Sequence, residues 1–195
     1  MPPMPPITRA LLLTCVAAFC LNLFLHLEAW LALWPLGSGR FMLWQPLTYA
    51  LLHGDMLHLF FNMMGLWMFG SEIERLWGGR RYLHFLVACI LAAALVQMVV
   101  TQLTGSRVPT VGASGALFGL LMAFGMLFPN RTIMPLFPPI PMKARTFVMV
   151  FGGLELLLGI MGATGIAHFA HLGGMLGGWL LISYWRGRGP FGRRR

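Results

Sequence analysis

Val111-Gly112-Ala113-Ser114-Gly115-Ala116-Leu117-Phe118-Gly119 opens an apolar run that continues to Phe128 and stops at Pro129-Asn130. Ser114 is the one polar side chain in that stretch. A segment that is apolar on every side belongs either in the core of a large protein or in a bilayer. The rest of the chain chooses the bilayer. Of its 195 residues 58% are hydrophobic and only 10% charged, whereas a soluble domain carries about 25% charged residues.

Similar runs recur at roughly 9–30, 55–74, 82–103, 114–129, 145–163 and 167–186, and one helical crossing needs about 20 residues. The pattern predicts an all-α membrane protein of six transmembrane helices. It forms one domain over residues 1–195, with its core at about 9–186 and a basic cytoplasmic tail at 186–195. Arg9 ahead of an apolar stretch is a signal-peptide feature, but no A-x-A-like cleavage site follows, so the first run is read as a span. The fourth run is short. Such a helix is tolerated where its upper end opens into a protein-lined cavity, which puts Ser114 below the membrane surface.

The net charge is +9, a value that in a soluble protein would suggest a nucleic-acid partner. Its distribution argues otherwise. With the N-terminus inside, all basic residues except Arg40 and Arg107 fall on the inner side, so the positive-inside rule selects N-in, C-in. The partner of this charge is the lipid bilayer, and no nucleic acid is needed. Residues 31–53 are too apolar for a solvated loop, and Trp30, Trp34 and Trp44 suit an interface. This first loop is expected to lie in or dip into the outer leaflet. Cys15, Cys20 and Cys89 sit in apolar runs without metal-ligand spacing and read as small hydrophobes.

Polar side chains are costly inside a bilayer, so those within the spans are candidate functional groups. In "HGDMLHLFFNMMG", His58 and Asn62 are i, i+4 on one face, and both can donate hydrogen bonds. In "AHFAHLGGMLGGW", His168 and His171 are i, i+3, and Gly174 and Gly178 continue the His171 face. Gly174-x-x-x-Gly178 and Gly115-x-x-x-Gly119 are both close-packing surfaces. Docked on each other, they bring His171 to Ser114. His168 lies nearer the outer end, where water reaches it and no partner is required.

Such a meeting would be chemically coherent. Serine becomes a nucleophile when a base takes its proton, and neutral imidazole suits that task near pH 7. The oxyanion that forms needs donors fixed in advance. His58, Asn62 and the first backbone amides of the Ser114 helix could supply them. An α/β-hydrolase elbow is excluded, because its second glycine would fall on Ala116 and no strand precedes it. Each motif taken alone also fits helix packing or interhelical hydrogen bonding.

In combination, "GASG" with Ser114, "HGDMLHLFFN" with His58 and Asn62, and "AHLGGMLGG" with His171, Gly174 and Gly178 resemble the rhomboid family of intramembrane serine proteases. Gly70-x-x-x-Glu74-x-x-x-Gly78 is a further match, and the likeness runs from about Trp44 to Gly178. The resemblance implies a six-helix bundle with a Ser114–His171 dyad in a water-filled cavity opening outward. It implies an oxyanion hole from His58, Asn62 and the Ser114 backbone N–H, with Gly112, Phe118, Gly174, Gly178, Glu74 and Trp44 in supporting places. Glu74 would hold the inner helix ends. Substrates would be membrane proteins cut in or near a transmembrane segment, with no cofactor and no metal.

Two positions depart from the family pattern. Its first-loop Trp-Arg pair is Trp44-Gln45 here, which removes a charge, and its tyrosine stacked on the catalytic imidazole is Phe118, which keeps the ring and loses the hydroxyl. Asp55 reads as the N-cap of its helix, which leaves a dyad rather than a triad. Glu155, deep in the fifth span, is expected to be neutral or hydrogen-bonded, at a substrate gate or a loop anchor. His26, His53 and His84 lie near helix ends and read as interfacial, with the cavity edge as a second reading for His53. With neither targeting extension nor soluble domain in the pattern, the expected location is a bacterial inner membrane. Two other classes stay open: a catalytically silent rhomboid-like protein that binds transmembrane helices, and a small proton-coupled transporter. The oligomeric state is not encoded in any of these motifs.

Overall fold

The computed structural model describes residues 3–136, 139–162, 167–189 and 192–193. Ala163, at the expected end of the fifth run, and Arg194 and Arg195 of the expected basic tail lie outside the described residues. The long helices follow the apolar runs to within a few residues: Pro6–Leu25, Met56–Gly65 continuing to Ser71–Trp77, Gly79–Thr104, Ser114–Leu127, Ala144–Met161 and His168–Trp185.

Local chemistry sets their ends. Pro6 opens the first helix, where its missing N–H costs nothing. Asp55 caps the next, its Oδ1 accepting from the His58 backbone N–H at 2.8 Å, which is the N-cap role expected of it. Gly78 and Gly105 close helices at φ +77° and +70°, a region glycine enters without steric penalty. A two-residue antiparallel pair, Thr132–Ile133 with Met142–Lys143, ties together the segment after the Ser114 helix.

Among the described residues, three helices are long and apolar enough to cross a membrane, namely Pro6–Leu25, Gly79–Thr104 and Ala144–Met161. Two other runs differ from uniform spans. The second is interrupted by a π-helical turn at Leu66–Gly70, a form that inserts a residue into the helical ladder. The turn lies where the helix runs close to its neighbours. A side chain at Gly65 would meet Leu117, and one at Gly70 would overlap the Tyr82 hydroxyl. The fourth run forms only 14 helical residues.

The Ser114 helix is central. It packs against four others, including Gly79–Thr104 and His168–Trp185, and buries Gly115, Ala116, Gly119, Leu120, Leu121, Ala123 and Phe124 around most of its circumference. This explains why its sequence is apolar all round. The interior is completed by Ile73, Tyr82, Phe85, Cys89, Phe147 and Ile182. Outward-facing positions are also apolar: Phe24 is 79% exposed, Leu103 81% and Ile160 71%. Such surface is costly in water and ordinary in lipid.

The first loop is held by its own polar network. Gln45 is fully buried. Its Oε1 accepts from the Trp34 backbone N–H at 3.2 Å, and its Nε2 donates to the Arg40 carbonyl at 3.0 Å. The neutral amide thus satisfies both ends against backbone, so the loop needs no buried charge here. Trp44 donates Nε1–H to the Trp30 carbonyl at 2.9 Å. An isolated bridge, Leu33 to Thr110, joins this loop to the segment leading to Ser114.

At the other end of the bundle, Glu74 is buried against the start of the first helix. Its Oε1 accepts from Ile7 N at 2.9 Å, and its Oε2 accepts from Thr8 N at 2.7 Å and Thr8 Oγ1 at 2.8 Å. Donors without an intrahelical acceptor at a helix N-terminus are well matched to a carboxylate.

Candidate active site

The geometry of the site follows from glycine. The Ser114 and His168–Trp185 helices touch through Gly115 and Gly119 on one side and Gly174 and Gly178 on the other. A methyl group at Gly174 would overlap the Gly115 carbonyl, and one at Gly178 would lie 3.1 Å from the Gly119 oxygen. The backbones therefore run in direct contact, as small-residue interfaces allow. That contact brings His171, one turn before Gly174, level with Ser114.

His171 Nε2 lies 2.8 Å from Ser114 Oγ. Phe118 stacks on the same imidazole, with ring centroids 4.3 Å apart and planes within 7°. The ring is pinned by an aromatic face and directed by its hydrogen bond. Ser114 begins its helix, so the N–H groups of Ser114, Gly115 and Ala116 have no intrahelical acceptor and carry the positive end of the helix dipole.

Gly112 precedes the serine with φ +125°. A Cβ there would lie 2.7 Å from His58 Nε2 and 3.5 Å from Ser114 Oγ. Only glycine lets His58 sit over this turn beside the serine. Asn62, one turn along, is buried and donates Nδ2–H to the His58 carbonyl at 2.9 Å. Its amide carries a second N–H. No hydrogen bond joins Asn62 to Ser114 among the described residues. His53 is buried with its ring edge-on to His58 at 5.1 Å. Trp44 and Glu74 are outside this cluster, the one in the first loop and the other at the opposite helix ends.

One expectation is corrected. His168 is not a water-reached residue at the outer end. It is 5% exposed, and its Nδ1 lies 2.6 Å from Glu155 Oε2. The Ala144–Met161 helix covers it, because Gly159 lets the two helices close up beside His168 and Phe169. The same Glu155 oxygen lies 2.8 Å from His171 Nδ1. Glu155 is thus hydrogen-bonded, as its depth requires, and its partners are both histidines. Its depth in an apolar span is the sequence signal for a partnered carboxylate; the identity of its partners is not. The ligand atoms of Glu155, His168 and His171 lie within 4.8 Å of one another, close enough to hold a cation. The Nδ1···Oε2 separations are those of hydrogen bonds.

The fold and site define a helical integral membrane protein with a serine–histidine pair held between packed helices. The rhomboid domain profile matches residues 40–188. The chain belongs to the rhomboid family. It is 30% identical over 189 residues to the rhomboid protease GlpG of Yersinia pestis (strain Pestoides F), covering 92% of this chain and 62% of that protein. The GlpG of Yersinia pseudotuberculosis serotype O:3 (strain YPIII) gives the same figures. The presenilin-associated rhomboid-like protein A, mitochondrial, of Danio rerio is 31% identical over 144 residues, covering 71% of this chain and 38% of that protein. The chain thus spans less than two thirds of the length of each of these relatives.

Proposed function

We propose that this chain is an intramembrane serine endopeptidase that cleaves transmembrane segments of membrane proteins. The observation that carries the reading is the 2.8 Å contact between Ser114 Oγ and His171 Nε2, inside a chain of this family and beneath an apolar exterior. Ser114 attacks the scissile carbonyl while its proton passes to His171 Nε2, and the protonated imidazole then gives it to the leaving amide nitrogen. Water repeats the cycle on the acyl-enzyme. The developing oxyanion is met by the Ser114 N–H, His58 and Asn62, donors whose positions are set before the substrate arrives.

The same reading makes the chain one six-span domain over residues 1–195, N-in and C-in, in a bacterial inner membrane. Basic groups at one end support this topology. Arg131 pairs with Glu72, Arg81 stacks over Trp185 at 4.3 Å, and Arg186 donates to the Met126 carbonyl at 3.0 Å. The exposed indoles of Trp30 and Trp44 at the other end suit a first loop lying in the outer leaflet.

The test is Ser114→Ala in purified protein with a model transmembrane substrate. Turnover should fall at least about 10⁴-fold and covalent labelling by a fluorophosphonate should vanish, while the protein stays folded, since alanine suits a small-residue interface. Proteolysis retained by Ser114→Ala would remove the mechanism.

A further inference from the structure

We propose that Glu155 is a positioning residue of the active site, completing a Ser114–His171–Glu155 line in which His168 shares the carboxylate. The inference rests on the serine-protease reading above and deepens it.

The observation is a continuous chain of short contacts across three helices. Ser114 Oγ is 2.8 Å from His171 Nε2, His171 Nδ1 is 2.8 Å from Glu155 Oε2, and that oxygen is 2.6 Å from His168 Nδ1. An ionised carboxylate only accepts hydrogen bonds, so both imidazoles carry their proton on Nδ1. For His171 this leaves the Nε2 lone pair facing the serine hydroxyl, which is the tautomer a general base requires. In the attack the Ser114 O–H bond breaks and a His171 Nε2–H bond forms. The imidazolium then lies directly against the Glu155 anion. Glu155 takes no proton; it fixes the tautomer beforehand and stabilises the charge that appears, the part a carboxylate plays in serine triads.

His168 explains how the carboxylate is tolerated. A lone anion at this depth would be expensive. A second Nδ1–H on the same oxygen satisfies it and aims the carboxylate along the His171 edge. Phe118 holds the ring plane from one face, while Glu155 sets the rotation of the ring within that plane. Neither substitutes for the other.

The experiment compares Glu155→Gln and Glu155→Asp with the unaltered full chain, measuring kcat and KM on one transmembrane substrate and the rate of fluorophosphonate labelling. The ¹⁵N-histidine spectrum of the unaltered chain is recorded alongside, with His171 assigned by loss of its signal in His171→Ala. Glu155→Gln should lower kcat at least about 100-fold, with KM within about twofold and labelling slowed in step, since an inverted tautomer in a serine triad costs up to about 10⁴-fold. Glu155→Asp should recover part of the loss. The spectrum should show His171 protonated on Nδ1. A helix tie without chemical role would leave kcat intact in every folded variant, or lose it only with folding, and either result overturns the proposal. So does a His171 spectrum with the proton on Nε2, a reading that needs no Glu155 variant to fold. If Ser114→Ala and His171→Ala abolish turnover while Glu155→Gln does not, this inference fails alone. If Ser114→Ala retains turnover, the protease reading fails with it.

Discussion

Replacing Gly174 by alanine adds one methyl group at the place where the site depends on backbone contact. The new Cβ would overlap the Gly115 carbonyl oxygen and lie 2.7 Å from its carbon and 3.0 Å from Gly115 Cα. These are backbone atoms, so no rotamer change relieves the clash. Restoring ordinary van der Waals separation moves the two helices apart by about 1 Å. Ser114 adjoins Gly115 and His171 lies one turn before Gly174, so their 2.8 Å contact opens beyond hydrogen-bonding range. A misplacement of about 1 Å can cost about 100-fold in rate, and overpacking of this kind destabilises by about 1–3 kcal/mol. The assay is the rate of fluorophosphonate labelling at Ser114, together with thermal unfolding in detergent. Gly153→Ala serves as the control, because a Cβ there meets nothing within 4 Å and alanine is the better helix former. Gly174→Ala that labels at the full rate with unchanged unfolding would refute the docking of these two glycine faces as what sets the site.

Asn62→Ala should slow turnover without abolishing it, because His58 and the Ser114 N–H remain. Losing one oxyanion donor costs about 2.7–4 kcal/mol at most, and an unchanged kcat would assign Asn62 to helix structure through its bond to the His58 carbonyl. Glu74→Ala should lower stability by about 0.5–2 kcal/mol, the usual worth of a helix cap, by orphaning Ile7 N and Thr8 N. Activity per folded molecule should persist; a kcat loss without a stability loss would place Glu74 in the reaction rather than at the helix ends.

Much of the helix layout is legible in the sequence because a bilayer imposes a length and a composition on each segment. Gly79–Thr104 and His168–Trp185 start and stop within three residues of the apolar runs, whereas the first helix, Pro6–Leu25, stops five residues before its run does. The approach of Ser114 to His171 is legible for a different reason. Two Gly-x-x-x-Gly faces fix both which helices touch and at what height, so an interhelical distance is written in two local patterns. The π turn at Leu66–Gly70 is not legible, since nothing in "LWMFG" departs from helical composition. The partners of Glu155 are hidden for a related reason. Its helix carries Gly152, Gly153 and Gly159 without a matching face elsewhere, so its rotation and depth against His168 are tertiary facts. Composition says that a buried carboxylate must be partnered but not by what.

The two departures from the family pattern gain meaning from this arrangement. Gln45 replaces a charge with an amide whose oxygen and nitrogen both find backbone partners, so this position of the first loop is held by neutral hydrogen bonds. Phe118 keeps the stacking face on His171 but offers it no hydroxyl. The ring nitrogens of His171 lie at hydrogen-bonding distance from Ser114 on one side and Glu155 on the other. His171 is buried, and electrostatic contacts strengthen as water is excluded. The orientation that the stacked ring leaves undetermined then falls to the carboxylate, and the short chain Ser114–His171–Glu155 is what remains to set it.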